Sequence, residues 1–209
     1  MNEELFLTED QTDALQEITN IAMGRAGAQL AQILDTFIKL SVPRINIIQS
    51  SSISSNMLNM IGAKSAATAI RQSFNGSLSG EAMVVYDQHG CRNLADLMGY
   101  DGIIDRTAER ELLLDVGNVL IGACLNGVAD LLGASLVFSA PTIMAENVEV
   151  DQLINTKHLT WNYALLVEVH FTLEIRDFTC HLLTLMPEES ILRLQLAIDA
   201  FMDDFIGTN

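Results

Sequence analysis

Apolar residues recur at helical spacing in two long stretches of the chain. In the first, Leu15, Ile18, Ala22, Leu30, Ile33, Leu34 and Phe37 follow Thr8, and Gln11 three residues after Thr8 completes a capping box. In the second, Asp105 and Thr107 are candidate caps before Leu112, Leu113, Val116, Leu120, Ile121 and Leu125, and Gly127 follows. Gly24, Gly27, Gly122 and Gly127 lie inside these runs. A helical glycine costs about 1 kcal/mol against alanine, so these mark either close helix packing or a break into shorter helices. Elsewhere the period shortens towards alternation. Ile45 and Ile48, Ala66 to Phe74, Ala82 to Tyr86, Leu136 to Ser139, Trp161 to Leu173 and Phe178 to Met186 read as strands. A turn containing Asn75-Gly76 and Gly80 joins one pair, and Arg176-Asp177 joins another. Cys91 to Met98 and Glu188 to Phe205 read as helices, and the serine-rich stretch Ser50 to Ser55 as a loop. The expected class is α+β, with long helices packed on a largely antiparallel sheet.

The two helical stretches are copies of each other. Asn20 to Pro43 and Asn118 to Pro141 align without a gap at an offset of 98 residues. Asn20 falls on Asn118, Gly24 on Gly122, Ala31 on Ala129, Leu34 on Leu132, Ser41 on Ser139 and Pro43 on Pro141. Upstream, Asp13 and Glu17 fall on Glu111 and Asp115, acid on acid. Two copies this far apart are too few for a solenoid and point to a duplicated half about a pseudo-twofold axis. The expected organisation is one domain over residues 1–209, with internal repeats at about 8–100 and 105–205.

Length and composition narrow the class but not the activity. The 209 residues are 49% hydrophobic, enough for a substantial core and too apolar for a disordered chain. The N-terminus lacks the basic leader and apolar stretch of a signal peptide, and no charge-free apolar run reaches membrane-spanning length, so a cytoplasmic protein is expected. Cys91, Cys124 and Cys180 are odd in number and widely spaced, as reduced core thiols would be. A net charge of −16 repels phosphate backbones, which makes nucleic acid and anionic membranes poor partners.

The chemistry concentrates in the repeat. Glu17 and Asn20 stand three residues apart and project from one helix face, which is no place for the apolar stripe. The full pattern is Asp13-x3-Glu17-x2-Asn20-x22-Pro43, and it recurs as Glu111-x3-Asp115-x2-Asn118-x22-Pro141. A lone Glu-x-x-Asn reads as a solvated helix face; repetition at constant offset together with both prolines reverses that weighting. Pro43 and Pro141 read as structural, each ending a helix-to-strand connection, and Asp13 and Glu111 as helix-start charges.

This doubled spacing of acid, Glu, Asn and Pro resembles the CheC/CheX/FliY family of chemotaxis phosphatases, and CheC most of all, over nearly the whole chain. CheX-like members carry one such motif, and FliY-like members add a flagellar switch domain. The resemblance implies hydrolysis of the aspartyl phosphate of a CheY-type response regulator. In that scheme Glu17 pairs with the regulator's lysine while Asn20 enters its site and orients water in line with phosphorus. Asp115 and Asn118 are the corresponding second pair. Phosphoryl transfer rests on positioning and charge stabilisation, which suits a neutral amide. The resemblance implies no cofactor of the protein's own, with Mg²⁺ on the regulator, and a CheD-like deamidase as a further partner. Asp115 is one methylene shorter than Glu, which leaves the second site weaker, binding without turnover, or working after a small change in docking.

Other candidates carry less. His89, His158, His170 and His181 show no metal-ligand spacing with cysteine, and Gly76 to Gly80 lacks the Gly-Lys-Ser/Thr ending of a phosphate loop. The rival to an enzyme is a module that binds a phosphorylated regulator, or a CheD-like deamidase, without hydrolysis.

Overall fold

Thr8 starts the first helix by reciprocal capping. Gln11 N donates to Thr8 Oγ1 at 3.1 Å, and Thr8 N donates to Gln11 Oε1 at 3.0 Å. The computed structural model describes residues 6–61, 66–87, 105–153, 162–173 and 178–207. Helix α1 (Glu9–Leu34) stops three residues short of the Phe37 expected from periodicity, and Asp35, a left-handed residue, caps it. Asp105 caps the second long helix, accepting from Thr107 N and Ala108 N at 2.9 Å each. This helix is α3 (Arg106–Leu131), and its glycines do not break it. The shorter α2 (Ile53–Ile61) and the C-terminal α4 (Glu188–Gly207) complete the helices described.

The eight strands among the described residues are β1 (Ile38–Leu40), β2 (Arg44–Gln49), β3 (Ala66–Gly76), β4 (Gly80–Asp87), β5 (Leu136–Phe138), β6 (Thr142–Glu149), β7 (Tyr163–Leu173) and β8 (Phe178–Pro187). They form one antiparallel sheet in the order β1-β7-β8-β4-β3-β5, with β2 also on β7 and β6 also on β3. Exchanging β1 with β5, β2 with β6, β7 with β3 and β8 with β4 reverses this order onto itself. The pseudo-twofold axis therefore passes between β4 and β8. Each half lends its outer strands to the other: β1 and β2 pair with β7, while β5 and β6 pair with β3. The fold is α+β, as expected.

Both prolines sit inside the sheet edge. Leu40 faces Phe171 and Arg44 faces Glu168, so residues 41 to 43 oppose only 169 and 170. The same surplus of one residue occurs at 139 to 141 opposite 72 and 73. Pro43 and Pro141 thus lie in β-bulges between two short strands, where a missing N–H breaks no ladder bond. This corrects the expected helix-to-strand placement. The cause is that β1 and β5 have three residues each, too few to show alternation. Ser50 to Ser55 is likewise no loop: residues 50–52 form a 3-10 turn and Ile53 opens α2, whose Ile53 and Met57 are buried against the sheet. Strand β6 was not foreseen either. The expected Cys91–Met98 helix and Arg176-Asp177 turn lie outside the described residues.

Helices α1, α3 and α4 cover one sheet face in a core that includes Leu15, Leu30, Ile70, Phe74, Tyr86, Leu120, Phe171 and Leu194. On the reverse face, α2 and residues 150–153 cover a smaller core. By length and composition α3 could cross a membrane, but 61% of its most apolar window is buried inside the fold. It packs on α1 where Gly127 meets Ala22, so close that a Cβ on Gly127 would stand 2.9 Å from the Ala22 Cβ.

The reverse face also holds a polar group built on β2, β7 and β8. His170 stacks on His181 with ring centres 4.6 Å apart, His181 Nδ1 lies 3.1 Å from Glu168 Oε1, and Arg44 approaches Glu168 at 3.6 Å. Burial lowers the His170 pKa below its ordinary 6.5; His181 lowers it further, Glu168 opposes, and Arg44 adds to the lowering. Just below 6.5 the unfolded chain therefore binds more protons at this residue than the folded chain. Its contribution to stability is intact above 6.5 and is lost as pH falls towards the lowered folded value. Thermal melts from pH 7.5 to 5 should show a shallower acid loss in His170→Phe, which keeps a ring for stacking. Parallel curves for the two proteins would contradict this assignment.

Candidate functional site

The turn of α1 that carries the motif divides cleanly into two faces. Leu15, Ile18, Ala22 and Ala26 are buried, while Asp13, Glu17, Asn20, Gly24 and Ala28 are exposed along one stripe. Among the described residues nothing hydrogen-bonds or ion-pairs with the Glu17 or Asn20 side chains. A carboxylate and a carboxamide about one turn apart are therefore both open to solvent. Gly24, one turn beyond Asn20, has nothing within 4 Å of where its Cβ would be. Packing inside the chain does not ask for glycine there, and its absent side chain leaves the helix backbone open beside Asn20.

The scaffold beneath this face is the bulge. Gln16 Nε2 donates to the Pro43 carbonyl at 3.1 Å, tying α1 to the buried proline. Ser41 completes the bulge: its N donates to His170 O at 2.9 Å and its Oγ accepts from His170 N at 3.0 Å. The distant proline of the motif thus belongs to the support of the helix that carries Glu17 and Asn20.

Helix α3 repeats the arrangement with differences. Asp115 and Asn118 are exposed on one face, and Gly122 lies one turn further on, again with nothing within 4 Å of its missing Cβ. Ser139 N donates to Ser73 O at 3.0 Å, and Ser73 N donates to Ser139 Oγ at 3.1 Å. Here, however, the sheet reaches up to the motif. Gln72 on β3 is buried, and its Nε2 donates both to Asn118 Oδ1 at 3.0 Å and to the Ser139 carbonyl at 2.8 Å. Asn20 has no such partner. The structure thus brings Glu17 together with Asn20 and Asp115 together with Asn118, each pair on its own helix. Gln16 and Gln72 were missed from sequence. Gln16 immediately precedes Glu17 and reads as an ordinary polar helix residue, while a glutamine inside the apolar β3 run was a signal that could have been followed.

Cys124 and Cys180 are buried and form no disulfide, and burial is the first cause raising the Cys124 pKa, which fits a core role rather than nucleophilic chemistry. Among the described residues no group of three or more His, Cys, Asp and Glu side chains is placed to hold a metal ion.

Comparison with known proteins bears on this geometry. The model of the CheC-like family matches residues 11–47, the stretch that contains Asp13, Glu17, Asn20 and Pro43. The flagellar motor switch phosphatase FliY of Bacillus subtilis is 25% identical over 176 residues, which is 82% of this chain and 44% of that protein. The chain therefore spans less than half the length of this curated relative. Among solved structures, Thermotoga maritima FliY superposes with a TM-score of 0.71 at 20% identity, covering 93% of this chain and 98% of the other. The middle domain of FliM from H. pylori gives 0.62 at 10% identity, covering 91% and 99%. CheX, in its complex with CheY, BeF3 and Mg from Borrelia burgdorferi, gives 0.52 at 15% identity, covering 82% and 96%. At these identities the solved structures establish the fold. The resemblance to CheC-like proteins holds in sequence and in architecture.

Proposed function

We propose that this chain is a phosphatase that acts on the aspartyl phosphate of a CheY-type response regulator in the cytoplasm. The observation that carries the reading is the exposed Glu17–Asn20 pair, unpartnered among the described residues, with a second exposed acid–asparagine pair at Asp115–Asn118 whose asparagine accepts from Gln72. The fold shared with FliY and CheX supports it, as does the name of the FliY relative, a phosphatase. The CheX–CheY complex supplies a precedent for the class of partner.

In the proposed reaction Glu17 pairs with the regulator's lysine, which sets the angle of α1 on the regulator. Asn20 then reaches the phosphoryl group. Its oxygen accepts from the attacking water and its nitrogen donates to a phosphoryl oxygen, a division of labour that a carboxylate could not perform. Water attacks phosphorus, and the P–O bond to the aspartate breaks. The aspartate leaves as a carboxylate, the water's oxygen joins the phosphorus, and both of its protons leave with the phosphate as dihydrogen phosphate, which then exchanges protons with solvent. Holding water in line is the main contribution asked of the enzyme, with Mg²⁺ belonging to the regulator. A CheD-like deamidase is a second proposed partner.

A binding module is the alternative, and the likeness to the FliM middle domain fits it, because the fold is not confined to proteins named as phosphatases. Mixing substoichiometric amounts of this protein with a phosphorylated CheY-type regulator and timing phosphate loss separates the two. An enzyme clears the phosphate in multiple turnovers, whereas a binder leaves the rate unchanged or slows it.

A further inference from the structure

The two copies of the motif rest on different floors. Matching Ser73 with His170 through their identical bonds to Ser139 and Ser41 puts Val169 of β7 where the other half has Gln72. Val169 is fully buried and has no polar atom to offer α1. The helices differ in the same sense. Gly117, beside Asn118, is buried so close to the sheet that a Cβ would stand 3.2 Å from Ile70 and 3.3 Å from the Tyr86 hydroxyl. The first copy has Thr19 at that position, also buried. A glycine lets α3 settle onto β3, and a glutamine on β3 reaches up to it.

The orientation of both amides follows from the Ser139 carbonyl, which can only accept. The Gln72 atom facing it at 2.8 Å is therefore the nitrogen. The second hydrogen of that nitrogen points to Asn118, so the Asn118 atom at 3.0 Å is its oxygen. Gln72 Oε1 is left buried without a partner. Valine fills the equivalent place in the other half without that penalty, so packing alone does not call for glutamine.

We infer that Gln72 is a positioning residue that holds the Asn118 carboxamide oxygen against the sheet, so that α3 presents mainly the amide nitrogen to a partner. This rests on the proposed phosphatase reading and divides its labour between the copies. Asn20 is free to accept from water and donate to phosphate, whereas Asn118 can donate to a phosphoryl oxygen but has one of its two acceptor positions occupied. The second site thus grips the phosphoryl group better than it turns it over, independently of the shorter Asp115.

Two measurements test this. In the Asn20→Ala protein all turnover comes from α3, and Gln72→Val copies the floor of the first site. Asn20→Ala/Gln72→Val should dephosphorylate the regulator about fivefold faster than Asn20→Ala, the order expected when a misdirected group regains its geometry. An unchanged or lower rate overturns the inference. Because Gln72→Val leaves the Ser139 carbonyl without its donor and can impair folding, the wild-type protein supplies the second test. Side-chain amide ¹⁵N relaxation should find Asn118 rigid and Asn20 mobile on the ps–ns scale. Equal mobility overturns the tether. Absence of turnover in the wild-type protein would sink the phosphatase reading while the relaxation result still decides whether Gln72 holds Asn118.

Discussion

Asn20→Ala should lower phosphate release from a phosphorylated regulator by about a hundredfold, and Asn118→Ala by less than about threefold, if positioning of water is the catalytic act. The magnitude follows from what is lost. Alanine leaves Glu17 to dock but removes the group that holds water in line, and a displacement of about 1 Å is enough to cost that factor. Two separate observations place the larger effect on α1. Asp115 is one methylene shorter than Glu17, a loss of reach of about 1.5 Å towards the regulator's lysine. A charge-assisted pair held at poor geometry passes its error on to the asparagine three residues later. In addition, Asn118 Oδ1 already accepts from Gln72, whereas Asn20 is unpartnered among the described residues. Initial rates of the two single variants on the same regulator decide the ranking. A greater loss in Asn118→Ala would reverse it.

Two helical glycines should respond to substitution with opposite signs. Gly127→Val should destabilise the protein by about 2–3 kcal/mol, since its side chain would enter the α1–α3 contact where the Ala22 Cβ and Cα lie 2.9 and 3.2 Å from the missing Cβ. Neither is the far end of a flexible side chain, so the helices themselves must separate. Ala22 is two residues from Asn20, and the variant should therefore lose activity as well as stability. Gly24→Ala should instead stabilise by up to about 1 kcal/mol, because helix propensity rises and nothing stands within 4 Å. Urea titrations of both variants check the signs. A neutral Gly127→Val would mean that the helix contact yields easily and does not fix the site. If Gly24→Ala is more stable yet binds the regulator more weakly, the open backbone beside Asn20 is part of the docking surface.

The parts of this structure legible in the sequence are those whose signal is long or repeated. Thr8 with Gln11, Asp105, and the apolar runs of α1 and α3 announce two helices over many turns, and the 98-residue offset ties them together. The exposure of Glu17, Asn20, Asp115 and Asn118 followed from their exclusion from the apolar stripe. What escaped is short or depends on distant partners. Strands β1 and β5 have three residues each, and β6, read TIMAENVE, mixes small, polar and apolar residues without clean alternation. The serines before α2 look like a loop because serine caps and turns as readily as it coils. The choice between packing and breakage at the glycines needed the partner helix: Gly127 is a contact, whereas Gly24 and Gly122 face open space. The difference between the two sites needed the register of the sheet. Along the chain the constant offset of 98 sets Gln72 against His170, but Phe74 faces Phe138 where Phe171 faces Leu40, so at β3 and β7 the offset is 97 and Val169 takes the place of Gln72.

The central claim is that the two carboxamides, and not binding alone, hydrolyse the regulator's phosphate. Asn20→Ala/Asn118→Ala, assayed in parallel for binding to a beryllofluoride-activated CheY-type regulator and for phosphate release from the phosphorylated one, tests it most directly. The account predicts that wild-type protein accelerates release over many turnovers, and that the double variant still binds while release falls to the regulator's own rate. A double variant that continues to turn over at the wild-type rate would contradict it.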